Sequence, residues 1–227
     1  MKRIRELISK VTQKYPRDHF FADFEESCKL NAAKRTMYRK YDSALQLLDK
    51  ESWQTINEKA VAHFNDHRHG QLKQGFFHQL NEAFAYNYLV RRGFSNVRML
   101  REFGKTTPDI QYLEAGLVKH CEVKTIGLSD AEIQLRETQS VYQNPYANLG
   151  EGFFQKLVCD VKNAKVQIAK QNTSGLIYLI INFDDIALDY YSEYRRKIIS
   201  FCRDQNMHDL YIKVGLRGNR HIDITHV

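Results

Sequence analysis

Two carboxylates and one lysine stand out in this sequence, because their types and spacing suit the hydrolysis of a phosphodiester. Asp109 follows Pro108, and a single residue separates Glu122 from Lys124. Two hard carboxylate groups suit Mg²⁺, which takes one or two protein carboxylates, keeps several waters and adds substrate phosphate. A lysine beside such an ion can hold the phosphate or orient the attacking water. The alternative interpretation is an ordinary salt-bridge cluster on a solvated sheet face.

A β-hairpin is predicted around these residues. The runs Ile110–Leu113 and Leu117–Lys124 are rich in β-branched, aromatic and aliphatic side chains, as strands are. The segment Glu114-Ala115-Gly116 between them contains the glycine that hairpin turns favour. We therefore expect two antiparallel strands joined by a short loop.

The length of that loop decides which residues face each other. A two-residue Ala115-Gly116 loop places Asp109 opposite Glu122, whereas a three-residue loop places Asp109 opposite Cys121. Directly opposed residues have Cβ atoms about 5 Å apart. Residues two apart in a strand share a face, so Glu122 and Lys124 are expected to project together.

The elements around the hairpin predict an α/β core. A helix is expected over Gly75 to Arg92, and Glu82 lies within it among mostly apolar residues, where an unpaired carboxylate would be costly. A strand is expected at Val97–Phe103, before the hairpin. A second helix is expected over Phe153 to Gln171, and the apolar run Leu176–Phe183 predicts a strand buried on both faces.

This order of helix, three strands, helix and strand resembles the PD-(D/E)XK nuclease superfamily. The resemblance covers roughly residues 70–185 and is carried by Pro108-Asp109 and by Glu122-Val123-Lys124. It implies a restriction-endonuclease-like core, α-β-β-β-α-β, with a central mixed sheet flanked by helices. Asp109 and Glu122 would then be catalytic metal ligands, Lys124 the catalytic lysine, and Glu82 a further ligand. The implied cofactor is Mg²⁺, with Mn²⁺ as a substitute.

One motif of the superfamily is not matched. An exonuclease branch carries Gln-x-x-x-Tyr on the second helix, but here Gln167 is followed four residues later by Gln171. The resemblance therefore leaves open whether cleavage is endonucleolytic or exonucleolytic. The superfamily also includes inactive members, so a nucleic-acid-binding or structural protein without turnover is the alternative. A third hypothesis is a fortuitous pattern in an unrelated α/β domain, where the charged residues form a surface ion-pair network.

Composition agrees with a nucleic-acid partner. The net charge of +7 and the pI near 9.1 suit a polyanion, and DNA is favoured over RNA. The four cysteines lack C-x-x-C spacing, which predicts free thiols in a reducing compartment. The N-terminus has no apolar signal-peptide core, and no apolar run approaches the roughly 20 residues of a membrane span. We therefore expect a cytoplasmic protein without a membrane partner, and leave a homodimer open.

The first 69 residues differ from the rest because they lack strand-like runs. They predict a helical appendage, residues 1–69, before a nuclease-like domain, residues 70–227. Helices are expected around Ile4–Val11, Phe20–Leu30, Tyr38–Leu48 and Trp53–Phe64. The appendage could bind DNA, pair two subunits or cover a sheet edge.

Nucleic-acid contacts are predicted at two further places. The stretch Gly127–Gly152 leaves the hairpin directly after its second strand and contains Gln134 and Arg136, which can hydrogen-bond bases or phosphates. Lys162 and Lys165 lie on the second core helix and could face a phosphate. A plain mobile loop and solvated lysines are the alternatives. A helix over Tyr190 to Arg203 and strands at 210–214 and 221–225 are expected to extend the sheet.

Overall fold

A computed structural model describes residues 1–67, 70–102, 107–127, 149–182, 190–215 and 220–224. Its helices are Lys2–Lys14 (α1), Phe24–Leu30 (α2), Ala32–Gln46 (α3), Lys50–Ala62 (α4), Gln74–Arg91 (α5), Glu151–Ala169 (α6) and Tyr191–Asp204 (α7). Its strands are Ser95–Met99 (β1), Ile110–Glu114 (β2), Leu117–Ile126 (β3), Gly175–Ile181 (β4), Leu210–Val214 (β5) and Arg220–Asp223 (β6).

The strands form one mixed sheet in the order β1-β2-β3-β4-β5-β6, with helices flanking it. The predicted α/β class and the predicted extension of the sheet by two C-terminal strands are confirmed. The order α5, β1, β2, β3, α6, β4 follows the expected sequence of elements. The restriction-endonuclease-like fold itself stays a prediction.

Contacts along the chain divide it into two compact units, Met1–Lys119 and His120–Val227. This division describes packing within the folded state and does not test where an independently folding domain begins. The predicted boundary between residues 69 and 70 therefore stays a prediction.

The first unit contains the predicted N-terminal helices. In α1 the buried face is formed by Ile4, Leu7 and Val11, a spacing of three and four residues. Helix α3 begins at Ala32, earlier than expected, because the Asn31 side chain accepts a hydrogen bond of 2.9 Å from the backbone N–H of Lys34 and so caps the helix.

Aromatic packing holds α4 beside α5. Phe64 follows the end of α4, and its ring stacks on Phe21 at a centroid distance of 5.8 Å. Phe76, in the first turns of α5, packs edge-on against both rings, at 5.7 Å from Phe21 and 5.6 Å from Phe64. This cluster fixes the two helices whose polar side chains meet in the candidate site.

Strand β1 is shorter than the sequence predicts. It pairs antiparallel with β2 through a bulge between Ser95 and Arg98, and it ends at Met99. Beyond Met99, the backbone N–H of Leu100 donates to the carbonyl oxygen of Asp109 at 2.8 Å. The last predicted residue of this strand, Phe103, lies outside the described residues.

The hairpin turn is the two-residue alternative. Strand β2 ends at Glu114 and β3 begins at Leu117. The backbone φ angles of Ala115 and Gly116 are +50° and +79°, both in the left-handed region that a type I′ turn requires. The loop length that places Asp109 opposite Glu122 is thus confirmed, and the opposition itself stays a prediction.

In the second unit, β4 lies between two parallel neighbours, β3 and β5, and β5 pairs antiparallel with β6. Leu176 to Ile181 are all buried, which confirms a strand covered on both faces. Ile177, Leu179 and Ile181 share one apolar cluster with residues of α6 and α7, so both helices pack on the same sheet face. The parallel register places Glu122 beside Ile177 and Lys124 beside Leu179.

Within the described residues, no helix is both long enough and apolar enough to cross a bilayer. The four cysteines form no disulfide, and Cys159 alone among them is exposed. The predicted compartment and the predicted partners stay predictions.

Candidate functional site

Strand β3 carries a buried ion pair between Glu122 and Lys124. The Lys124 Nζ donates to Glu122 Oε1 at 2.7 Å and to Gln167 Oε1 of α6 at 2.8 Å. The Glu122 side chain is only 3% exposed, whereas that of Lys124 is 24% exposed. The pairing agrees with the shared strand face that the two-residue spacing predicts. The burial of Glu122 differs from a solvated sheet face, because α6 covers this side of the sheet.

Gln167 is a member of this site that sequence reasoning did not assign to it. In the sequence, Gln167 stands out only because the tyrosine expected four residues later is missing. In the structure its side-chain oxygen holds the Lys124 ammonium from the helix above the sheet. An ammonium has three N–H donors, and the bonds to Glu122 and Gln167 use two of them. The lysine head group is thus held in one orientation while it remains partly open to solvent.

In the first unit, a buried lysine sits among three carboxylates, and we call this group the Lys59 cluster. Lys59 Nζ lies 2.7 and 2.8 Å from the two carboxylate oxygens of Glu82, 3.3 Å from Asp109 Oδ1 and 3.7 Å from Glu102 Oε1. The side chains of Lys59 and Glu82 are 6% and 5% exposed, and that of Asp109 is 17% exposed. Two of the predicted site residues, Glu82 and Asp109, therefore contact the same ammonium.

In the Lys59 cluster, one ammonium faces three carboxylates. Burial lowers the pKa of Lys59, but Glu82, Asp109 and Glu102 outweigh it and raise the pKa above its ordinary value. Burial raises the pKa of Glu82; the Lys59 ammonium opposes this rise, and the nearby charges of Asp109 and Glu102 add to it. The raised pKa keeps the Lys59 ammonium charged, so it balances part of the negative charge of the carboxylates around it.

Lys59 is a residue that sequence reasoning missed, although a signal was present. In the sequence, Glu82 is a carboxylate within a mostly apolar helix, where it needs a partner. Lys59 lies three residues after the buried Ile56 in α4 and so shares its face. A lysine on an apolar helix face is the natural partner for such a carboxylate, because buried charges are paired. The sequence does not state which of many lysines that partner is.

His63, just past the C-terminal end of α4, connects to the Lys59 cluster through Glu102. Its Nδ1 lies 2.6 Å from Asp66 Oδ2 and its Nε2 lies 3.1 Å from Glu102 Oε2. Partial burial lowers the pKa of the His63 imidazole, but the hydrogen bonds and charges of Asp66 and Glu102 outweigh it. The net pKa is raised above the ordinary value of 6.5.

We expect His63→Asn to destabilise the protein at about pH 5.5 and to have little effect at about pH 9. A pKa raised by folding gives stability that is fully present below the unfolded-state pKa and is lost as pH rises through the folded-state pKa. The loss at low pH should be at most about 1 kcal/mol, because the group is partly solvated. Urea unfolding at both pH values measures this loss of stability.

His67→Asn is the control, since the His67 ring is hydrogen-bonded to the backbone carbonyl oxygen of Asn65. An equal loss at both pH values would mean that His63 acts through packing.

The predicted nucleic-acid contacts divide into two groups. Gln134 and Arg136 lie outside the described residues. Lys162 and Lys165 lie on α6 and are exposed, while their neighbours Val161 and Ala164 are buried in the core. The two lysines are therefore available to a ligand in solution, and a role in binding stays a prediction.

The described residues contain no group of three or more His, Cys, Asp or Glu side chains arranged to hold a metal ion. Carboxylate oxygens are the ligands that Mg²⁺ prefers. Both oxygens of Glu82, however, already accept hydrogen bonds from Lys59. The roles of Asp109, Glu122 and Glu82 as ligands of Mg²⁺ stay predictions.

Comparison with known proteins adds no relative. The chain matches no protein-family model, no curated protein and no solved structure. The assignment to the PD-(D/E)XK superfamily therefore rests on the residues and the element order alone, and it stays a prediction.

Proposed function

We propose that this protein is a Mg²⁺-dependent nuclease that hydrolyses phosphodiester bonds, with DNA as the favoured substrate. The observation that carries the proposal is the Glu122–Lys124 pair on β3, whose ammonium is oriented by Gln167 at 2.8 Å. A catalytic lysine must be held in place and still reach the substrate. The hydrogen bonds to Glu122 and Gln167 hold the Lys124 ammonium, and the 24% exposure of the side chain leaves it accessible. Asp109 and Glu122 are the proposed metal ligands.

Each side chain has a distinct proposed role. Lys124 has a third N–H donor, which would bind a phosphate oxygen and stabilise the negative charge that grows there in the transition state. Asp109 is 17% exposed and can reach an ion that keeps part of its water shell. A bound Mg²⁺ would polarise the phosphate and lower the pKa of a coordinated water. The element order α5, β1, β2, β3, α6, β4 supports the finer proposal of a restriction-endonuclease-like fold.

A second candidate function is a nucleic-acid-binding or structural protein without turnover. The Lys59 cluster favours it, because the ammonium places a fixed positive charge against both Glu82 and Asp109. A protein whose acidic groups are already paired can remain folded without a divalent ion. The two candidates differ in turnover, so a cleavage assay separates them.

The assay uses the purified full chain with linear, circular, branched and single-stranded DNA, and with RNA. We expect cleavage with Mg²⁺ or Mn²⁺, and binding without efficient turnover with Ca²⁺. Cleavage of linear but not circular DNA would identify an exonuclease. Binding of nucleic acid without cleavage in any of these ions would favour the inactive scaffold.

We expect binding to DNA to weaken with salt, because basic side chains displace counterions condensed on the phosphates. Three phosphate contacts would lower the affinity about 40-fold between roughly 50 and 200 mM salt. The double variant Lys162→Gln/Lys165→Gln should reduce the slope of log K against log salt by about 2, as measured by fluorescence anisotropy.

The control for this prediction is Lys29→Gln/Lys50→Gln, which removes the same charge from exposed positions of the first unit. It should leave the slope nearly unchanged. Equal effects of the two double variants would show that only net charge matters. Affinity that does not respond to salt would exclude a phosphate-based interface.

A further inference from the structure

The Lys59 ammonium takes the place that a cation would occupy between Glu82 and Asp109. It lies within 2.8 Å of both Glu82 oxygens and 3.3 Å from Asp109 Oδ1. It reaches these carboxylates from α4, while Glu82 comes from α5 and Asp109 precedes β2. At 6% exposure the Lys59 side chain is nearly closed off from water, and its partners on separate elements hold it there.

A buried charge of this kind is costly to displace. Removing the partner of a buried ion leaves an uncompensated charge in a poorly solvated place, which is strongly destabilising. A metal ion that used Glu82 as a ligand would have to separate Glu82 from Lys59. A metal ion held by Asp109 would not have to separate Glu82 from Lys59. The Asp109 side chain is more exposed than that of Glu82, and it lies farther from the Lys59 ammonium.

We propose that Lys59 acts as a resident cation in the Lys59 cluster, so that Glu82 is its counter-ion and the protein binds a single divalent ion through Asp109. Lys59 is then a positioning residue, since its ammonium holds the Asp109 carboxylate and supplies positive charge where a second metal ion would otherwise lie. The inference rests on the proposed nuclease function, and it gives Glu82 a role other than that of a metal ligand.

Titration of the full chain with Mn²⁺, followed by electron paramagnetic resonance of the free ion, tests this. The wild type should bind one Mn²⁺. Glu82→Gln should also bind one, with an affinity within about threefold of the wild type. Lys59→Met should bind a second ion, or one ion at least about tenfold more tightly, because three carboxylates then lack their ammonium. The double variant Lys59→Met/Glu82→Gln keeps the net charge of the wild type and should bind one ion with similar affinity.

Lys73→Met is the matched control, since Lys73 is also buried and paired with Asp18 but lies outside the cluster. It should leave Mn²⁺ binding unchanged.

Three outcomes would overturn the inference. Loss of Mn²⁺ binding in Glu82→Gln would make Glu82 a ligand, and the nuclease proposal would survive. Unchanged Mn²⁺ stoichiometry and affinity in Lys59→Met would show that Lys59 does not act as a resident cation in the Lys59 cluster. A wild type that binds no Mn²⁺ would overturn the proposed function and this inference together.

Discussion

Glu122→Gln is expected to lower Mg²⁺-dependent cleavage by about 10²- to 10³-fold while the protein stays folded. The substitution removes the negative charge that a divalent ion needs. The amide oxygen can still accept the hydrogen bond that Lys124 now donates to Glu122 at 2.7 Å, so the local structure should be kept. Cleavage rates on a fluorescent DNA substrate measure the loss, and circular dichroism checks the fold.

Glu114→Gln is the matched control for this prediction, because it makes the same change on the same hairpin. Glu114 pairs with Lys119 beside the turn, and we expect its loss to leave cleavage nearly unchanged. Asp109→Asn should reproduce the loss seen with Glu122→Gln. Lys124→Met should lose most activity and still bind Mn²⁺, because lysine is not a ligand. Full activity in both carboxylate variants would mean that the catalytic site lies elsewhere.

Gly175→Ala is expected to destabilise the protein by about 3 kcal/mol or more, or to prevent folding. A Cβ added at Gly175 would lie 1.7 Å from the carbonyl oxygen of His120 and 2.7 Å from its carbonyl carbon. Both are backbone atoms of the neighbouring strand β3, so no side-chain rotation relieves the overlap. Relief would require β3 and β4 to separate where their parallel pairing begins. Urea unfolding measures the loss.

Gly152→Ala serves as its control. Gly152 lies in the first turn of α6, and a Cβ there would meet no atom within 4 Å. We expect no loss of stability, and a gain in the free energy of unfolding of up to about 1 kcal/mol, because alanine restricts the unfolded chain more than glycine does. A wild-type stability for Gly175→Ala would show that the two strands do not approach as closely as described.

Local patterns in the sequence determined the elements and part of the site. Apolar spacing located α5 to within one residue at each end, and the apolar run between Gly175 and Asp184 identified β4 as buried on both faces. The glycine after Ala115 predicted a hairpin turn. The two-residue spacing of Glu122 and Lys124 predicted their shared face. These features depend on neighbours a few residues apart, so the local sequence specifies them.

The predicted ends of helices and strands were less accurate where a contact with a distant part of the chain decides them. The predicted strand Val97–Phe103 is shifted, and β1 runs over Ser95–Met99. Strand residues are defined by pairing with a partner, and β1 pairs with β2 through a bulge that no local pattern reveals. The two-residue and three-residue loops were equally compatible with the sequence, and the backbone of Ala115 and Gly116 decided between them.

Only the tertiary structure decided which charged groups meet. Lys59 and Glu82 are 23 residues apart in the chain, and Lys124 and Gln167 are 43 apart. Each pair joins side chains on different elements, whose contact depends on how a helix packs on another helix or on the sheet. Helical and strand periodicity states which face a residue occupies but not what lies against that face. The sequence therefore determined that Glu82 needed a positive partner, and the packing of α4 against α5 determined that the partner is Lys59.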